Sequence, residues 1–268
     1  MLKIDFPGFN SHYSLHNHSD WSDGQDTLEA MCRGAKDAGI PLFGMSDHWV
    51  AAPKPGMNSE TWSMKLERLP EYIKTLKQLR SELEDESFKL LIGVEADYFH
   101  ENHTEVFEKL NSIGLDYLIG SVHYSDIFPI DHDASDWQGL SQAKIDEIWT
   151  IYWEKLIAAA EFGQFDILGH LDLPKKFAYL PSFDYTPMAL KVLDAAQKTD
   201  KAIELNTAGW DKPCQEQYPS NLLLKEAFQR HIPVVISADA HAVSQLTRHF
   251  EKAEKLCKIQ SETNWSRS

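Results

Sequence analysis

The chain has 268 residues, 43% hydrophobic and 25% charged, the balance of a folded globular protein and not of a disordered one. A chain this long buries roughly three quarters of the surface its unfolded form exposes, so its three scattered cysteines, Cys32, Cys214 and Cys257, are not needed as staples. With no C-x-x-C among them they suggest reduced thiols, neither a zinc knuckle nor a redox pair. Lys plus Arg is 26 and Asp plus Glu is 41, and the net charge of −15 argues against a polymeric nucleic-acid partner while leaving room for bound divalent cations.

Residues 1–10 lack a basic region followed by an apolar run, so no secretion signal is expected there. No apolar run approaches the ~20 residues that cross a bilayer. The expectation is a cytoplasmic protein with no membrane partner. Short apolar runs then alternate with longer amphipathic ones. Strands are predicted over residues 13–16, 42–47, 90–96, 117–122, 166–169, 202–205 and 234–237. A helix is predicted after each, over 27–38, 60–83, 104–113, 142–162, 187–199, 221–230 and 244–258. Apolar residues recur at three and four around Ile148, Ile151, Tyr152 and Leu156. Pro187 suits a first helical turn, and Gly39 and Gly163 suit left-handed caps. No linker composition and no repeat interrupts this order, so residues 1–268 read as one domain. Seven successive strand–helix units predict an α/β protein with a parallel sheet, open or closed.

The histidines separate those two options. Among 12 of them, His16, His18, His48, His123, His170 and His241 fall at the C-terminal ends of predicted strands, as do Glu95 and Asp239. A closed barrel gathers all such ends at one mouth, whereas an open sheet gathers ligands at a single crevice. The pairs His16/His18, Asp239/His241, Glu95/Asp97 and His170/Asp172 are each spaced i, i+2, which puts both side chains on one face of an extended chain. Imidazoles with carboxylates suit zinc, manganese or iron, and the lack of thiolates argues against a purely structural zinc site. His12, His100, His103, His132, His231 and His249 do not share that placement and read as ordinary polar residues. Trp149 and Trp153, at i and i+4, read as core.

These residues resemble the PHP (polymerase and histidinol phosphatase) superfamily. His16-Asn17-His18-Ser19 with Ser22-Asp23-Gly24 resembles its opening motif, and Ser46-Asp47-His48 its second. Gly93-Val94-Glu95, Gly120-Ser121-Val122-His123 and Gly169-His170-Leu171-Asp172 are similar to the next three. Glu204-Leu205-Asn206-Thr207 and Ser237-Ala238-Asp239-Ala240-His241 resemble the last two. The closing motif carries one extra residue, Ala238, so a kink is expected there. Ordered motifs from residue 16 to 241 cover most of the chain, and Gly-Ser-Val-His points to the histidinol-phosphatase branch.

The resemblance implies a distorted, TIM-like (β/α)7 barrel and three divalent metal ions, zinc, manganese or iron. His16, His18, Glu95 and Asp239 would hold the first, a bridging Glu95 with His123 and His170 the second, and Asp23, His48 and His241 the third. It also implies hydrolysis of L-histidinol phosphate to L-histidinol and phosphate in histidine biosynthesis. The expected nucleophile is a hydroxide between the first two metals, oriented by Asp239 as the catalytic residue. Asp47, Asp97 and Asp172 are candidates for holding the ligand imidazoles from behind. Asn17, Ser121, Lys175 and Asn206 are candidates for contacting phosphate or substrate. Asp20 reads as a loop residue, Lys176 as surface charge, and Arg33 and Arg248 as solvated residues on predicted helices. Residues 126–137, acidic and aromatic, read as a solvated loop or as a substrate lid. Two alternatives stay open on the sequence: a related phosphoesterase for another small monoester or a nucleotide phosphodiester, and a non-catalytic metal-binding barrel.

Overall fold

The computed structural model describes residues 13–57 and 59–262. The readings of residues 1–10 and of His12 lie outside them. Nine strands are described: β1 (Tyr13–Ser14), β2 (Leu42–Met45), β3 (Lys89–Asp97), β4 (Tyr117–Ser121), β5 (Tyr124–Ser125), β6 (Phe128–Pro129), β7 (Ile167–Leu168), β8 (Ala202–Asn206) and β9 (Val234–Ser237). Seven helices accompany them: α1 (Leu28–Asp37), α2 (Leu69–Leu83), α3 (His103–Ser112), α4 (Gln142–Phe162), α5 (Thr186–Thr199), α6 (Asn221–Gln229) and α7 (Phe250–Glu262). Among the described residues no helix is long and apolar enough to cross a membrane.

The main sheet is parallel, in the order β1-β2-β3-β4-β7-β8-β9. Its two edges meet beyond the strand ends. Asn17 bridges Ala240 in parallel, and the His18 amide donates to the Ala240 carbonyl at 2.8 Å. The result is a nearly closed seven-stranded barrel with helices outside, as the strand-end histidines predict. Its N-terminal half is plugged by Tyr13, Leu15, Tyr117, Ile119, Ile167, Ala202 and Val235. Tyr117 reaches across the interior, and its hydroxyl donates to the Leu15 carbonyl at 2.5 Å. Gly93 makes room for that ring, because a Cβ there would collide with it. With one end filled, the open C-terminal mouth is where side chains can converge.

The helices follow from local chemistry. Thr27 caps α1 by accepting from the Ala30 amide, and Ser141 caps α4 by accepting from that of Lys144. Gly163 ends α4 at φ 64, a left-handed cap that lacks a Cβ penalty. Bounds predicted from periodicity fail in two places. Residues 59–68 form two short 3-10 turns and not the first part of α2, which starts with Pro70 in its first turn. The last helix starts at Phe250 and not at residue 244, because His249 sits at φ 60, outside helical space. The β5–β6 hairpin straddles the start of the 126–137 segment read as a loop, with β5 just before it and β6 inside it, and its Tyr124 and Pro129 line the mouth.

Candidate metal centre

Six of the seven barrel strands deliver polar residues at or just past their C-terminal ends. His16 and His18 follow β1, His48 follows β2, Glu95 lies near the end of β3, His123 follows β4, His170 follows β7, and Asp239 and His241 follow β9. Asp23 comes from the loop after β1. Asp47 pins that loop by accepting from the Ser19 amide at 2.7 Å, the Ser19 hydroxyl at 2.9 Å and the Ser22 hydroxyl at 2.7 Å.

Glu95 is the centre of the arrangement and has no solvent exposure. Its Oε2 lies 3.0 Å from His16 Nε2, 2.9 Å from His48 Nδ1 and 3.5 Å from His18 Nε2. Its Oε1 lies 2.8 Å from His170 Nε2 and 3.4 Å from His123 Nε2. Asp239 Oδ1 sits 3.1 Å from His18 Nε2 and 3.8 Å from His16 Nε2. Asp23 Oδ1 sits 3.3 Å from His241 Nε2 and 3.8 Å from His48 Nε2. The His18 ring stacks between those of His48 and His241, with centroids 4.2 and 4.4 Å away.

Electrostatics follow from this crowding. Burial alone would raise the Glu95 carboxyl, but His16, His48 and His123 together hold it well below the usual carboxylate range. Burial works against a charged His123, yet Asp97 and Glu95 push its pKa up to about 10. His241 is likewise opposed by burial and raised to about 9 by Asp23 and Asp239. His18 has the opposite fate: burial and the neighbouring His48 and His241 lower it to about 3.

The donor set fits divalent cations. His16 Nε2, both nitrogens of His18, His48 Nδ1 and Glu95 Oε2 are buried and lack a hydrogen-bond partner among the described residues, although several lie within 3.5 Å of one another. Atoms that are close but misaligned for hydrogen bonding are what ligands aimed at a common cation look like. Four groups bring their donor atoms within 4.8 Å: His18/Asp23/His48/His241, His16/His18/Glu95, His16/His170/Asp239 and His48/Glu95/His123. All nine ligand residues expected from the motifs lie in this one cluster. Two of these groups cut across the expected ones, His170 with His16 and Asp239, and His48 with Glu95 and His123, while Glu95 Oε1 also lies beside both His123 and His170.

Groups behind the ligands hold them. Asp97 Oδ1 lies 2.5 Å from His123 Nδ1, as expected. Glu204, absent from the expected set, does the same for His16: its Oε1 lies 2.6 Å from Nδ1, while its Oε2 accepts the His170 amide at 2.7 Å. The signal for it was available, since Glu204 and Asn206 share the i, i+2 spacing in an apolar strand. Among the described residues, Asp47 and Asp172 make no hydrogen bond or ion pair to an imidazole. Asp172 instead pairs with Lys175 and accepts the Ser220 amide at 2.8 Å.

The residues expected at the substrate are placed as follows. Ser121 donates to Glu95 Oε1 at 2.5 Å, and Asn206 donates to Asp239 Oδ2 at 3.1 Å. Asn17 is buried and donates to the Gly44 carbonyl at 2.9 Å. Lys175 is buried against Asp172, Glu216 and the Gln217 carbonyl. None of the four lines the cavity at the barrel mouth, which has a volume of about 580 Å³. Asp23, His48, His123, His170, Asp239 and His241 form its floor. Lys176, Lys212 and Arg248 form a cationic wall, and Trp62, Tyr124 and Tyr218 add aromatic faces. Lys176 and Arg248, read from sequence as solvated, therefore face the site. Asp131 and His132 also reach it, carried by the chain that follows the hairpin. Lys176 Nζ donates to the Asp131 carbonyl at 2.6 Å and lies 3.1 Å from its carboxylate. Burial opposes the charge on Asp131, but Lys176, His123 and His170 lower its pKa to about 2. As expected, Trp149 and Trp153 are core. Ala238 precedes the expected kink, with Asp239 at φ 50.

Comparison with known proteins agrees with this geometry. The PHP domain family matches residues 14–208. A relative from Deinococcus radiodurans named "Probable histidinol-phosphatase" is 36% identical over 85% of this chain and 85% of its own. A Listeria monocytogenes crystal structure shares the fold at a TM-score of 0.79 and 22% identity, over 90% of this chain and 99% of that one. A Lactococcus lactis histidinol phosphate phosphatase, solved in complex with zinc, L-histidinol and phosphate, follows at 0.76 and 23%, over 92% and 93%. A family match spanning most of the barrel, with a relative at that identity, establishes that this chain belongs to the PHP domain family, in its histidinol-phosphatase branch.

Proposed function

We propose that the chain is a metal-dependent phosphomonoesterase that hydrolyses L-histidinol phosphate to L-histidinol and phosphate. The observation that carries this reading is Glu95, buried at the focus of His16, His18, His48, His123 and His170 with no hydrogen bond to its Oε2 among the described residues. The Deinococcus relative and the zinc, histidinol and phosphate complex of the Lactococcus enzyme support the substrate.

Up to three ions of zinc, manganese or iron would be held. His16, His18 and Glu95 with Asp239 would take one, Glu95 with His123 and His170 another, and Asp23, His48 and His241 the third. When bound, such ions offset the charge of a phosphate dianion and make a water acidic enough to lose a proton near neutral pH. The chain's own groups do the rest. Asp97 and Glu204 fix the ring orientation of His123 and His16. Asn206 holds one oxygen of Asp239, leaving the other toward His16 and His18. In this reading Asp239 would orient an attacking water. Lys176 and Lys212 face this floor and favour a dianionic ester over a neutral one. Asp131, ionised near neutral pH, offers a counter-charge to an ammonium on the leaving group.

The test is phosphate release from L-histidinol phosphate by the metal-loaded protein, beside other small monoesters and a nucleotide phosphodiester. Histidinol phosphate should give the highest kcat/KM. Preference for another ester would move the substrate and spare the chemistry, and no turnover of any would leave a metal-binding barrel. In His123→Ala the metal content should drop and the rate should fall by orders of magnitude; an unchanged rate refutes the site.

A further inference from the structure

Arg248 lines the cavity, yet its guanidinium is committed to backbone carbonyls of the barrel. It stands in the turn before α7, and its Nη2 donates to the Ala238 carbonyl at 2.5 Å and to the Asp239 carbonyl at 3.4 Å. Its own carbonyl accepts from Thr207 Oγ1 at 2.7 Å. Behind it, Asp211 Oδ2 lies 3.6 Å from Arg248 Nε, and Asp211 Oδ1 lies 2.8 Å from His249 Nε2.

What Arg248 holds is unusual. Asp239 has φ 50, a left-handed conformation that costs a residue with a Cβ, although Asp tolerates it better than most. Two donors meet at that turn: Arg248 on both carbonyls and His241 Nδ1 on the Asp239 carbonyl at 3.0 Å. The carboxylate of the same residue points at His16 and His18. A relaxed backbone at residue 239 would carry that carboxylate away from both.

We propose that Arg248 is a positioning residue for the metal centre. By holding the Ala238 and Asp239 carbonyls it keeps the left-handed turn that aims Asp239 at the ligand imidazoles, and Asp211 in turn steadies Arg248. The inference rests on the reading of Asp239 as a ligand. It differs from a role in gripping the phosphate of a substrate, because a phosphate contact would change KM and leave metal affinity alone.

Zinc titration of the metal-free protein against a chromophoric chelator tests it, with the melting temperature of each metal-free form as the control for folding. R248M should weaken binding of at least one ion by about 10–100-fold, the usual cost of losing a group that orients a ligand. R248K should fall between, because an ammonium keeps a donor but not the guanidinium fork. D211N should shift affinity the same way by less. The double variant should be no weaker than R248M alone, since both changes act through one side chain. Parental zinc affinity in R248M overturns the inference, and does so too if KM for the ester rises instead. Should R248M fail to fold, parental affinity in D211N overturns it. A parent that takes up no zinc removes the reading of Asp239, and the inference with it.

Discussion

Glu204 is not part of the cavity lining, yet it holds His16 through Nδ1 at 2.6 Å from a position with no solvent exposure. Its second oxygen accepts the His170 amide at 2.7 Å and the Asn206 side chain at 3.2 Å. One carboxylate thus sets the tautomer of one expected ligand, the backbone of a second and the partner of a third. Glu204→Gln keeps the shape and loses the charge. Metal affinity should fall by about 10–100-fold while the metal-free fold persists. Chelator competition with parallel thermal melts measures both, and parental affinity would show that His16 orients itself.

The pH dependence of the metal-free protein follows from the raised histidines. The His123 pKa is about 10 and that of His241 about 9, against 6.5 for the free side chain. Each binds its proton more tightly folded than unfolded. Their stabilisation is therefore fully present below about pH 6.5 and is lost as pH climbs toward 9–10. Metal binding has the opposite slope, because the protons must leave before the rings can ligate. The metal-free melting temperature should drop between pH 6.5 and 10 while zinc affinity climbs. A metal-free protein whose stability is flat over that window would contradict the charge assignment.

The barrel was legible because each strand is a short apolar run closed by a polar pair at i, i+2, as in His16/His18 and Asp239/His241. Both run and pair are local. The bounds of α4 agree because Ser141 and Gly163 cap it at both ends. The cavity's cations were not legible. Lys176, Lys212 and Arg248 are far apart in sequence and sit on turns after different strands, so their meeting depends on loop paths that no periodicity encodes. Periodicity puts Arg248 on a helix whose start His249 delays, which turns an inward arginine into an outward one. The hairpin was missed because two-residue strands leave no alternation to detect.

Lys175 tests whether a lysine beside the motifs serves substrate or scaffold. It is 3% exposed, with Nζ 2.7 Å from Glu216, 2.8 Å from the Gln217 carbonyl and 3.2 Å from Asp172. Burial raises the Asp172 carboxyl to about 6 against the pull of Lys175. Lys175→Met would leave that carboxylate buried without its cation, at a cost of about 3–5 kcal/mol. Adding Asp172→Asn should return part of it, because the double variant leaves no fully buried carboxylate without its cation, and Glu216 reaches solvent. Denaturant unfolding of the two variants decides: a double less stable than the single would mean that Asp172 stabilises the loop without Lys175.

Lys212 is the complementary case, a cation that lines the cavity and has no ligand to hold. Burial, and Lys176 beside it, lower its pKa from the ordinary lysine value, yet it lies across from the floor formed by Asp239 and His241. Its charge is therefore available to an incoming dianion and has little bearing on the cluster beneath. Lys212→Met should raise KM for a phosphate ester and weaken inhibition by inorganic phosphate by similar factors, on the order of tenfold for one partly buried charge contact worth about 1.5 kcal/mol. Zinc stoichiometry and affinity should match the parent. A kcat loss with KM unchanged would assign Lys212 to the transition state alone, and a loss of zinc would place it among the groups that shape the metal centre.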